Sequence, residues 1–130
     1  MDYQNAMLSV ENKSPLLITV LYSNATNVHT ENNVAFYTAD WVTIAPDSVG
    51  DIKINGRADA WHEYIESGKE KKLFIYFFAA DSLKRYDGRY SMDQLCAMKK
   101  YLKVNSYTED QLSMLPGELV TIMIDSQHPF

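Results

Sequence analysis

A single cysteine, Cys96, stands in a chain of 130 residues. One thiol cannot close an internal disulfide, and within one chain it cannot supply a cysteine-based zinc site. Glycine is scarce, five in all, and the sequence contains no G-x-G-x-x-G, no Walker motif and no G-x-S-x-G nucleophile elbow. The three histidines, His29, His62 and His128, are too scattered for metal-ligand spacing. The His62-Glu63 pair is followed by Tyr64, Ile65 and Glu66, so H-E-x-x-H fails at its second His. No cofactor and no metal are expected. No stretch approaches the ~18 apolar residues that cross a bilayer. The amino-terminal MDYQNAMLSV lacks the basic start and apolar centre of a signal peptide, which leaves a cytoplasmic protein or one whose leader is not part of this sequence. Basic charge is in deficit: twelve Lys and Arg face seventeen Asp and Glu, a formal net charge of −5. Such a chain repels nucleic acid and anionic membrane at long range, which argues against both as partners.

What is present fits one folded domain spanning residues 1–130. Hydrophobic residues make up 46% and charged residues 22%, ordinary for a soluble globular chain and too apolar for disorder. Folding at this length removes roughly two thirds of the unfolded chain's surface from water, enough for one core. The sequons NKS at 12–14 and NAT at 24–26 are short enough to arise by chance and carry no argument.

The apolar runs MLSV at 7–10 and LLITVLY at 16–22, separated by ENKSP, predict a hairpin. WVTI at 41–44 and DIKIN at 51–55 alternate around APDSVG and predict a second, with Val42, Ile44, Ile52 and Ile54 inward. Between them, SNATNVHTENNVAFYTAD at 23–40 is polar and long for a connection, the candidate functional loop. Ala58, Trp61, Tyr64 and Ile65 share one stripe of a helix of about three turns that Gly68 stops. KKLFIYFFAAD at 71–81 is apolar on both faces, as a central strand covered twice would be. The pairs Ser91/Gln94 and Thr108/Gln111 have capping-box spacing. The first opens a helix with the stripe Met92, Leu95, Met98 and Leu102; the second opens a short helix that Pro116-Gly117 ends before a last strand, ELVTIMI at 118–124. Strands that come in pairs early, without regular βα alternation, predict a β-rich α+β fold. Its body is mainly an antiparallel β-sandwich of about six strands, with two or three short helices in the late connections.

The segment IYFFAADSLKRYD, a helix, MKKYLKVNSYTEDQLSML and a closing strand resembles small uncharacterised domains of Bacteroidales lipoproteins and secreted proteins, over residues 72–124. The resemblance implies a β-sandwich, an extracytoplasmic address on the cell surface or in the periplasm, and a lipid anchor on a cysteine upstream of Met1. The chain departs from that pattern at Ala79 and Ala80, where a second Asp is common, and at Pro116-Gly117, where a Trp is common.

Three features could carry chemistry. Asp81 follows the core strand, and its carboxylate is read as accepting backbone N–H groups at the start of the next turn rather than as catalytic. Tyr22, Tyr37 and Trp41 flank the Asn-rich loop, and with Asn24 and Asp40 they would offer flat rings and polar groups to a glycan or a protein. Residues 84–103 hold Lys84, Arg85, Arg89, Lys99, Lys100 and Lys103 against Asp87 and Asp93, a local +4 that leaves −9 on the rest. Tyr86, Tyr90 and Tyr101 are interleaved with this alternative, basic patch. The preferred function is a non-enzymatic binding domain for a glycan or a protein. The rival is a small acidic cytoplasmic inhibitor or immunity-type protein that neutralises a basic partner, and an enzyme comes third.

Overall fold

The apolar run of the sequence becomes strand β5 (Leu73–Ala79), and every residue in it is buried. The computed structural model describes residues 7–25, 33–40, 42–53, 60–113 and 119–122. Before β5 come β1 (Met7–Asn12), β2 (Ile18–Ser23), helix α1 (Val34–Tyr37), β3 (Thr43–Ile44), β4 (Ser48–Lys53) and α2 (Ala60–Glu66). After it come α3 (Ala80–Lys84), α4 (Met92–Ala97), β6 (Lys103–Tyr107), α5 (Glu109–Ser113) and β7 (Leu119–Ile122). The fold is strand-rich, with two sheets in the orders β4-β1-β7 and β3-β2-β5-β6. All pairings are antiparallel except β1 with β7, which is parallel. Among the described residues no helix is long and apolar enough to cross a membrane.

Alternation along β5 builds two cores. Leu73, Ile75 and Phe77 pack with Ile18, Ile44, Val10 of β1 and Ile65 of α2. Phe74, Tyr76 and Phe78 pack on the other face with Leu21, Val34 and Tyr37 of α1, Leu83 of α3, and Met92, Leu95 and Cys96 of α4. A buried Leu, Ile or Phe contributes about 1.5–3 kcal/mol, whereas an exposed pair such as Lys84–Asp81 at 3.8 Å is worth about 0–1 kcal/mol. Apolar burial on both faces of one strand therefore holds the domain.

Neither predicted hairpin forms. β1 and β2 belong to different sheets, as do β3 and β4; instead Asn12 is opposite Ser48 in one sheet and Ile18 opposite Ile44 in the other. The two connections, 13–17 and 45–47, thus cross between sheets side by side. Asn12, fully buried, fixes both. Its Nδ2 donates to the carbonyls of Leu16 and Ile44, each at 2.8 Å. Its Oδ1 accepts from Ser14 N at 2.9 Å and from the Ser14 hydroxyl at 2.6 Å. Its own carbonyl accepts from Asp47 N at 2.7 Å, where Asp47 turns the chain with φ 59°. Gly50 completes the corner, since a Cβ there would stand 2.6 Å from Ile44 Cγ1.

Three further expectations change. The 23–40 loop contains α1, whose first turn is closed by the Asn33 side chain accepting from Phe36 N at 3.0 Å. The helix expected at 92–102 ends at Ala97 in a left-handed turn: Lys99 has φ 58°, Lys100 N donates to Leu95 O at 3.0 Å and Lys99 N to Cys96 O at 3.1 Å. The chain is thereby released into β6, which the sequence reading missed. Met98 is left exposed, while Leu102 packs against the first core cluster. Both capping boxes form, with Gln94 N to Ser91 Oγ at 3.1 Å and Gln111 N to Thr108 Oγ1 at 3.2 Å, each reciprocated by the glutamine side chain. Ile54 and Ala58, assigned inward-facing roles above, lie outside the described residues.

Replacing Asn12 by Ala strands several buried backbone groups at once, and the expected loss is about 3 kcal/mol or more in denaturant unfolding. Asn12→Asp, which keeps the acceptor and loses both donors, should not restore it. A loss below about 1 kcal/mol for both variants would show that the corner is held by something else.

Candidate functional site

The exit of β2 carries two of the five residues proposed for glycan or protein contact, Tyr22 and Asn24. Tyr22 leaves the strand opposite Ile75 and meets Tyr64 of α2 edge to face, with centroids 5.4 Å apart and planes at 85°. Asn24 Nδ2 donates to Tyr64 O at 3.0 Å and to Ser67 Oγ at 3.2 Å, and the Ser67 hydroxyl donates to the same carbonyl at 2.8 Å. Asn24 is therefore a latch between β2 and the end of α2. Gly68 permits the fit, because a Cβ on it would lie 2.5 Å from the Asn24 carbonyl oxygen. Tyr64, read from the sequence only as a core-stripe residue, is central here: its ring meets Tyr22 and its backbone carbonyl accepts from both Asn24 and Ser67. The signal that could have found it is its place beside Ile65 on a helix that must cover β2.

Burial pushes the Tyr64 phenol up to about 12, and the neighbouring Tyr22 phenol adds to the shift. The Tyr22 phenol is raised as well, by burial and then by Tyr37. These phenols keep their protons at neutral pH, so they can donate and accept hydrogen bonds but supply no base. Tyr37 is only 8% exposed and packs in the second core. Its expected role as an exposed contact is therefore corrected: the polar sequence around VAFY hid an amphipathic turn whose Val34 and Tyr37 face the sheet. Asp40 is exposed, and its carbonyl accepts from the Thr43 hydroxyl at 3.3 Å. Trp41 lies outside the described residues.

Asp81 is not a cap. It sits in the first turn of α3, whose N-cap position is Ala79 with no side-chain cap bond, and its exposed carboxylate pairs with Lys84 at 3.8 Å. The favourable term left to it is attraction to the helix amino terminus and to that lysine.

The basic patch is presented differently from the tyrosine rim. Lys84, Arg85, Arg89, Lys99, Lys100 and Lys103 are all exposed. Tyr86 turns back over the end of α3 and meets Tyr90 edge to face at 5.7 Å. Tyr101 packs edge-on against Tyr76 at 5.1 Å, so it belongs to the core margin. Among the described residues four large hydrophobics are exposed: Val49 at 56%, Tyr90 at 38%, Met98 at 42% and Val104 at 37%. Three of these four fall in or directly beside the basic segment. The sequence marked the cations, but the exposed apolar groups became visible only once α4 was seen to stop at Ala97.

Asp81→Ala should change stability by about 0.5 kcal/mol or less, as for a surface group outside a cap. A loss of 1 kcal/mol or more would restore the capping role. Cys96 is buried, and burial, then Asp93, pushes its thiol up to about 12 from 9.0. Labelling of the native protein by a thiol reagent should track global unfolding. In the unfolded chain Cys96 and Tyr64 ionise near 9.0 and 10.0, in the folded protein near 12, so the stability these two groups contribute is fully present well below pH 9 and is lost as pH rises toward 12. Stability that is flat through that window would contradict both shifts.

Comparison with protein-family models, with characterised proteins and with solved structures gives no match, so function is argued from this chain's own surfaces.

Proposed function

We propose that this chain is a non-enzymatic interaction domain that binds an acidic partner protein through the surface built by residues 84–104. The observation that carries the reading is the coincidence of exposed Tyr90, Met98 and Val104 with six exposed cations in one stretch of chain. Lysines alone on a helix are commonly a solvated face. Aromatic, Met and Arg side chains left exposed together are the composition of protein interfaces, where a few of them supply most of the affinity. The net local charge favours an acidic partner and steers its approach.

The tyrosine rim supports a glycan site less well. Tyr22 and Tyr64 use their ring edges and faces on each other, and the Asn24 amide donates within the fold. The proposal keeps the two sheets as a β-sandwich and, with the resemblance to Bacteroidales secreted domains, an extracytoplasmic setting with a lipid anchor upstream. The rival, an acidic inhibitor of a basic partner, would use the negatively charged remainder of the chain instead.

Site-specific photocrosslinking separates these readings. With a photoreactive residue at position 90 or 98, extracts of the source cells should yield a discrete, salt-sensitive adduct that Arg85→Glu with Arg89→Glu abolishes, and position 49 should yield none. An adduct from position 24 only would return the site to the rim. One from position 49 only, insensitive to the arginine changes, would favour the inhibitor reading.

A further inference from the structure

We propose that β6 accepts an added strand: an extended acidic segment of the partner protein pairs with its outer edge. The inference rests on the interaction-domain reading above and specifies how that surface is used. β6 pairs with β5 on one side, from Leu73 opposite Tyr107 to Phe77 opposite Lys103, and none of the described residues occupies its other side. An edge strand presents a row of backbone N–H and C=O groups, and extended peptides bind by completing that ladder. Val104 and Ser106 are exposed on one face of β6, and on the other Lys103 is exposed while Asn105 and Tyr107 are half-buried, Tyr107 against the first core cluster. The opposite edge of the same sheet, β3, is two residues long and offers little template.

Charge complementarity identifies the occupant. Lys99, Lys100 and Lys103 lead into β6, no acidic residue occurs from Gln94 to Thr108, and none of these lysines has an ion pair among the described residues. Alternation sets the pattern of the guest. Lys103, Asn105 and Tyr107 share one face of the sheet and Val104 and Ser106 the other. A complementary strand therefore carries acids on the Lys103 face and apolar residues beside Val104, at alternate positions.

The test is a selection from a displayed library of short random peptides against the whole chain, followed by amide hydrogen exchange of the complex. Enriched sequences should alternate acidic with apolar residues, and exchange should slow at residues 103–107. Methylation of alternate peptide amides should abolish binding in one register. Lys103→Glu, with melting unchanged, should weaken binding by about tenfold. Acidic peptides that bind but leave exchange at 103–107 unaltered and tolerate methylation in both registers would overturn strand addition while leaving the basic interface standing. Enrichment of peptides without acidic residues, or of none, would overturn both. Protection at 103–107 that grows with protein concentration in the absence of peptide would assign the edge to a second copy and overturn the proposal.

Discussion

The architecture depends on one buried primary amide. An asparagine side chain offers two donors and one oxygen able to accept twice, and at Asn12 all four are used within the fold, on Leu16, Ile44 and Ser14. Ser14 and Leu16 lie on the first connection between sheets and Ile44 ends β3 at the start of the second, whose Asp47 N–H donates to the Asn12 backbone carbonyl. Burying an unpaired amide costs free energy, and so does burying unpaired carbonyls, so these groups stabilise the corner only together. The result is a two-stranded ribbon, β1–β2 against β4–β3, bent so that one half lies in each sheet. Only this bend lets β2 meet β5 on the far side while β1 keeps β4 and β7.

Once β2 lies against β5, both faces of the central strand demand cover. Val10 and Ile65 close one face, and α1, α3 and α4 close the other. That requirement explains why Tyr37 is recruited from a polar segment: a short helix there is the nearest source of apolar side chains for Leu21 and Phe74. It also explains the tyrosine rim, where α2 must be tied to the end of β2 and the Asn24 latch over Gly68 does so. Residues that looked like a recognition surface are thus largely taken up in holding elements together. The cations of 84–103 contribute almost nothing to that task, since ion pairs at such exposure are worth little.

Local signals were legible and non-local ones were not. Capping boxes at Ser91 and Thr108 involve residues three apart, and the double burial of β5 is written in seven consecutive apolar positions, so both could be read directly. Which strands pair could not. ENKSP and APDSVG carry ordinary turn chemistry, and nothing in either stretch states that the two turns will be joined across 32 residues by the Asn12 amide. β6 was hidden for a second reason: KVNSY has no buried residue and lacks the apolar alternation that marks a half-buried strand, and the helix before it stops without the usual glycine. Of the candidate site, the charges were readable from composition, while the exposure of Met98 and Val104 depended on that unseen stop.

The stop itself bears on function. Lys99 holds a left-handed conformation, φ 58°, at the position where glycine commonly ends a helix. A side chain with a Cβ is disfavoured there by about 1 kcal/mol relative to glycine. Glycine would therefore terminate α4 at lower cost and would remove one of the lysines that lead into the open edge. An observed backbone outlier of this kind supports a hypothesis of function when the residue also serves a surface that stability does not require. Lys99 meets that condition: it lies beside exposed Met98 and Lys100, makes no ion pair among the described residues, and directs the chain into β6. A positive charge at a strained turn, next to apolar groups left in water and a strand edge with no partner among the described residues, is consistent in kind with the binding surface proposed above.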